Sequence, residues 1–128
     1  MPDHPNATLV REALRAFHRG DLRTAMDSVV DDVEWHEIGR AEPVRGRDAL
    51  ARLFSGPQEP DSEVTTEIHD VVATDEHVVA LVQATVRRGA RSLDYRTAEI
   101  FHVRDGKITA RWAFSDDTAA IKEFFAGD

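Results

Sequence analysis

The dipeptide Asp105-Gly106 stands between two stretches of alternating apolar and polar residues, and no other feature constrains this chain so tightly. Asp-Gly at such a place is the sequence signature of a two-residue type I′ hairpin, because both central residues must take positive φ. It predicts two antiparallel strands, over 92–104 and 107–115. Upstream, segments near 63–73 and 77–87 are also rich in β-branched residues, and Asp75-Glu76 and Arg88-Gly89-Ala90 separate them from their neighbours. The second half of the chain therefore reads as four strands in succession.

The first half reads as helices. Asn6 is an expected N-cap, and Val10, Ala13, Leu14 and Phe17 then share one helical face. Gly20 ends this helix and Asp21 caps a second, in which Leu22, Ala25, Met26, Val29 and Val30 follow helical spacing until Asp31-Asp32. Val33–Ile38 reads as a short strand, followed by a loop through Pro43 and Gly46. A third helix carries Leu50, Leu53 and Phe54 and stops at Gly56-Pro57. After the strands, Asp117 or Thr118 can cap a short C-terminal helix with Ile121, Phe124 and Phe125. The expected class is α+β: a cone-like curved mixed sheet packed on three N-terminal helices, as one domain over residues 1–128.

Composition narrows the function classes. With 128 residues the chain can enclose one core and one cavity. A net charge of −8 disfavours duplex nucleic acid, whose binding depends on a basic surface that displaces counterions. The basic cluster Arg87, Arg88 and Arg91 reads as a solvated hairpin turn. Cysteine is absent, which removes disulfides, thiolate metal sites and cysteine nucleophiles. The six histidines have no HExxH or other tight ligand spacing, so neither a metal nor an organic cofactor is expected. Neither a signal peptide nor a membrane-spanning run is visible, and the expected address is the cytoplasm.

Side chains on a strand alternate between faces, so each predicted strand divides into two sets. On 92–104 the apolar set is Leu93, Tyr95, Thr97, Glu99, Phe101 and Val103, with a glutamate in its middle. A regular hairpin would pair Val103 with Ile108, Phe101 with Ala110, Glu99 with Trp112, and Thr97 with Phe114, which puts both aromatics beside Glu99 and turns Arg96 and Arg111 outward. Desolvation disfavours the charged form of a carboxylate in such surroundings unless a donor compensates it. On the short strand Val33, Trp35 and Glu37 share the face expected to be inner. A one-residue slip would present His36 instead, as the alternative base.

These elements, with His-Arg-Gly-Asp at 18–21, Val-Asp-Asp-Val-Glu-Trp-His at 30–36, Gly-Arg-Asp-Ala-Leu-Ala-Arg-Leu-Phe at 46–54 and Glu-Ile-Phe-His-Val-Arg-Asp-Gly-Lys-Ile at 99–108, resemble the nuclear transport factor two-like cone. That superfamily includes ketosteroid isomerases, SnoaL-like polyketide cyclases and scytalone dehydratase. The resemblance implies a cavity between helices and sheet, with Phe17, Trp35, Phe54, Tyr95, Phe101, Trp112 and Phe114 as its substrate-binding lining. It places Glu37 where the isomerases keep a general base, and Glu99 where they keep a neutral acid that hydrogen-bonds the developing enolate. Two hydroxyl donors of the isomerases correspond to Ala13 and Phe54 here, which argues against steroid isomerisation by that route.

The implied activity is proton transfer on a small apolar carbonyl or cyclic substrate by an isomerase, cyclase, dehydratase or hydrolase, with no cofactor. Glu37 would be the base and Glu99, kept neutral by its surroundings, the acid. The alternative is a non-catalytic ligand-binding or dimeric interaction domain on the same scaffold. Epoxide opening by water, which wants an arginine between two acids, ranks below these while Arg111 is read as outward. A homodimer through the outer face of the sheet, using Val71, Val79, Leu81 and Ile100, is also expected.

Overall fold

The computed structural model describes residues 4–55 and 62–126. Its first helix, α1 (Pro5–Arg19), is capped two residues before the expected Asn6, by His4, whose imidazole accepts from the backbone N–H of Asn6. Pro5 explains the shift: its fixed φ and missing N–H suit the first helical turn. Asn6 instead donates to the carbonyls of Thr74 and Asp75, tying the helix start to a hairpin between strands. At the other end Gly20 adopts φ 77°, the left-handed conformation that glycine takes without strain.

Asp21 caps α2 (Leu22–Asp27) by accepting from the N–H of Thr24. This helix ends earlier than its apolar spacing suggests. Ser28 turns its hydroxyl onto the carbonyl of Ala25, and its own carbonyl accepts from Ile108 N–H at 2.8 Å. Val29 and Val30 consequently leave the helix and open strand β1 (Val29–His36), where their branched side chains are at home. The strand stops at His36, so Glu37 and Ile38 follow it rather than belong to it. The expected loop contains a two-residue strand, β2 (Val44–Arg45), antiparallel to β1. Then α3 (Arg47–Ser55) begins; its expected stop at Gly56-Pro57 lies outside the described residues.

Four long strands follow: β3 (Ser62–Ala73), β4 (His77–Arg88), β5 (Arg91–Arg104) and β6 (Lys107–Ser115), and then α4 (Thr118–Ala126), capped by Asp117 through Ala120 N–H. They join one curved, unclosed mixed sheet in the order β2-β1-β6-β5-β4-β3, with β1 parallel to β6 and every other pair antiparallel. The fold is the α+β cone. Its core lies between the inner face of the sheet and the helices, where Val10, Leu14, Val33, Trp35, Leu50, Val78, Phe101 and Ile108 are buried. Burying each such side chain contributes about 1.5–3 kcal/mol. No helix among the described residues is long and apolar enough to cross a membrane.

Two bulges decide which side chains face that core. The hairpin turn is as expected, with Asp105 at φ 51°, Gly106 at φ 75°, and Val103 opposite Ile108. Beyond it the register slips: His102 pairs with Ala110, leaving Thr109 as the extra residue on β6. One inserted residue exchanges the two faces of everything that follows. Trp112 therefore pairs with Ile100 and Phe114 with Ala98, both on the outer face, while Arg111 opposite Phe101 and Ala113 opposite Glu99 turn inward. The regular-hairpin expectation fails at this point. On β3 a second irregularity between Ile68 and Asp70 places Val71, expected outside, opposite Ala80 and buried on the inner side.

The arginine-rich turn also departs from expectation. Arg91 stacks its guanidinium 4.8 Å from the ring centre of Phe124 and donates to that residue's carbonyl, fastening α4 to the sheet.

Candidate active site

A cavity of about 370 Å³ opens between α1, α3, α4 and the inner face of the sheet. Its wall on the helix side is aromatic. Phe17 from α1 lies 5.0 Å from the Trp35 ring and 4.8 Å from Phe54 of α3, and Trp35 meets Phe54 edge-on at 6.1 Å. These three rings and Tyr95 line the cavity. Phe101 does not. It is fully buried behind Trp35, 6.3 Å away, as packing. Trp112 and Phe114 are absent from the lining because the bulge at Thr109 turns them to the other side of the sheet.

The sheet side is polar along one row of β5. Alternation puts Tyr95, Thr97 and Glu99 on the same face, and all three line the cavity. Glu99 is only 5% exposed. It is not alone: Oε1 accepts from Nη2 of Arg111 at 2.7 Å and from Nε at 3.0 Å. The hydroxyl of Thr97 approaches Oε2 at 3.4 Å. Arg111 is held from two further sides. Its Nη1 donates to the carbonyl of His36 at 3.0 Å, and its guanidinium carbon sits 4.7 Å from the ring centre of Trp35. Such a buried acid is tolerated because a charged donor, fixed by a carbonyl and an aromatic face, replaces the water it lost. The expected neutral acid is one half of an ion pair.

Glu37, just past the end of β1, lines the same cavity. Among the described residues its carboxylate has no ion-pair or hydrogen-bond partner. His36 points the other way, stacking 4.8 Å from Trp112 on the outer face with an interplanar angle of 14°. The two acids thus share a chamber but differ in state, one clamped and one free.

Two further titratable groups line the chamber. The Tyr95 phenol is pushed above its ordinary 10.0, first by burial and then by the nearby Glu99 and Glu37 carboxylates, so it stays protonated at neutral pH. His18, on the last turn of α1, is lowered from its ordinary 6.5, chiefly by desolvation, with Glu99 pulling up and Arg111 pushing down. Neither Arg111 nor His18 was identifiable as a site residue from sequence. Arg111 has the wrong parity for a regular strand. His18 offers only a polar residue next to Phe17 at a helix end, a pattern shared by many surface histidines.

This arrangement can bind a small molecule with a mostly apolar body, place it against a carboxylate that has no partner among the described residues, and offer hydroxyl and guanidinium donors in the same chamber. Relatives bear out the architecture. An uncharacterized protein of Mycobacterium tuberculosis is 32% identical over 98% of this chain and 100% of its own length. Among solved structures, an M. tuberculosis LEH-like epoxide hydrolase superposes with a TM-score of 0.76 at 21% identity, covering 96% of this chain and 91% of that one. A putative ketosteroid isomerase from Kribbella flavida gives 0.71 at 14% identity, covering 87% and 77%. At these identities the two structures share the fold with this chain, and their chemistry is their own. The SnoaL-like domain model matches residues 10–111, the span that supplies every polar side chain of the chamber described above, and the chain belongs to that family.

Proposed function

We propose that the chamber takes a small, largely apolar carbonyl or cyclic molecule and that the protein transfers a proton on it with its own side chains. Glu37 is the base. The observation that carries this reading is the inequality of the two acids: Glu99 is neutralised by Arg111, whereas Glu37 in the same chamber has no partner among the described residues. Two carboxyl groups given different environments are a general arrangement for dividing acid and base roles. The hydroxyl and guanidinium donors that line the chamber would stabilise negative charge as it develops on the substrate oxygen. The role of Glu99 is then to hold Arg111 in place, not to give up a proton.

Addition of water to a strained ring is the second reading, and the inward turn of Arg111 favours it. That turn sets an arginine beside Glu99 in the chamber that Glu37 also lines, the group such a reaction wants. Glu37 would take a proton from water as the water oxygen attacks ring carbon and the ring C–O bond breaks. The released oxygen would be held by the chamber's donors until Glu37 returns the proton to it through water.

A test uses 1-decalone in D₂O and cyclohexene oxide in H₂¹⁸O, followed by mass spectrometry. Proton transfer predicts deuterium at the α-carbon of the ketone; hydration predicts a labelled diol. Glu37→Gln should slow either by at least about 10²-fold, the usual contribution of a positioned base. Ligand binding with neither product would favour a non-catalytic binding domain. A second copy of the chain is the proposed partner, covering an outer sheet face on which Val72, Leu81 and Phe114 are exposed.

A further inference from the structure

Tyr95 is the only tyrosine in the chain, and its place is unusual. It stands on the inner face of β5, two residues before Thr97 and four before Glu99, and lines the cavity opposite the aromatic helix wall. The side chain is half-buried, and a phenol so placed normally meets a hydrogen-bond partner or water. Among the described residues its hydroxyl has none. Of the polar groups that share the chamber, Arg111 is engaged with Glu99 and the His36 carbonyl, and Thr97 is turned toward Glu99 Oε2.

The charge of the chamber restricts what can meet that hydroxyl. Arg111 cancels Glu99, Glu37 has no ion-pair partner among the described residues, and a His18 lowered by desolvation is mostly neutral at pH 7. The net charge facing a ligand is therefore negative. A carboxylate or phosphate would be repelled. A neutral oxygen acceptor meets no such penalty.

We infer that the Tyr95 hydroxyl is the ligand-orienting donor of this cavity, and that the ligand is a neutral molecule presenting one carbonyl or ether oxygen to the sheet wall. This rests on the small-molecule reading of the chamber and adds the point of attachment and the excluded charge class. The burial and neighbouring carboxylates that hold the phenol protonated keep it a donor through the neutral range. Tyr95 would thus supply, from the sheet, the kind of hydroxyl that Ala13 and Phe54 cannot supply from the helices.

The sole tyrosine makes the test clean. Protein labelled at the tyrosine ζ-carbon gives one ¹³C resonance, and three ligands of the same bicyclic frame are titrated: 1-decalone, decalin and decahydronaphthalene-1-carboxylate. The ketone should bind about five- to tenfold more tightly than the hydrocarbon, the value of one net hydrogen bond, and should shift the resonance saturably. The carboxylate should bind more weakly than either. Tyr95→Phe should bring ketone and hydrocarbon within about twofold of each other while leaving hydrocarbon affinity unchanged. The wild-type resonance needs no variant, so a poorly folded Tyr95→Phe would not hide the answer. Ketone binding without movement of the resonance, or a ketone preference that survives in Tyr95→Phe, overturns the role of Tyr95 and leaves the chamber reading intact. Failure of all three ligands to bind removes the small-molecule reading itself, and this inference with it.

Discussion

Arg111 and Glu99 form a two-pronged contact at 2.7 and 3.0 Å although they are not cross-strand partners. Glu99 lies opposite Ala113, and Arg111 lies opposite Phe101. Diagonal neighbours on one face of a sheet are within reach of long side chains, and here the diagonal joins a cation to an acid inside the protein. Their side chains are only 12% and 7% exposed. Removing one partner leaves the other charged and desolvated, so Arg111→Met and Glu99→Gln should each cost about 3 kcal/mol in urea melts at pH 7. The double variant Arg111→Met/Glu99→Leu should lose less than the two single losses combined. A Glu99→Gln protein as stable as wild type would mean that the pair contributes nothing.

The two tryptophans should behave differently. Trp35 is 2% exposed at the centre of the core, and Trp35→Ala should cost about 3–5 kcal/mol. Trp112 lies on the outer face beside His36 and His102, so Trp112→Ala should cost about 1 kcal/mol and leave ligand affinity unchanged. Ligand titration of both variants checks this; loss of binding in Trp112→Ala would contradict the bulge at Thr109.

His18 carries a pH signature. Its folded-state pKa lies below the ordinary 6.5, so between the two values the unfolded chain holds more protons than the native one. Stability from this source is fully present above 6.5 and is lost as pH falls through the depressed value. Urea midpoints of wild type and His18→Gln, compared at pH 7.5 and 5.5, should show the wild type losing more on acidification. An equal or smaller loss in the wild type would count against desolvation of this imidazole.

Self-association is the fourth expectation. Val72, Val79, Ile100 and Trp112 are successive cross-strand partners on the outer face, with Leu81 and Phe114 in the adjoining row. Such a contiguous apolar area on a free surface is costly to leave in water. Light scattering at micromolar concentration should report a dimer, and Phe114→Asp a monomer. A wild type that is monomeric throughout that range would remove the proposed partner.

How much of this was legible in the sequence follows from the range of each interaction. The helices, the four long strands and the Asp105-Gly106 turn depend on contacts within a few residues: caps, periodicity and the φ preferences of Gly and Asp. So does the inner-face row Tyr95, Thr97 and Glu99, because alternation within one strand needs no partner. The end of α2 was less legible, since Val29 and Val30 fit a helical spacing as well as a strand. Long-range contacts draw that segment into the sheet, among them the hydrogen bond from Ile108 N–H to the Ser28 carbonyl, eighty positions apart.

The chamber's chemistry was decided between strands. A bulge is a mismatch between two strands, and neither strand alone records it. Thr109 has no composition or spacing that marks it as the extra residue, yet its insertion turned Arg111 in and Trp112 and Phe114 out. The sequence by itself determined that a glutamate would lie buried on the face of β5. Only the tertiary structure decided that it would be met by a cation, because the energy of a buried charge depends on what the neighbouring strand brings to it.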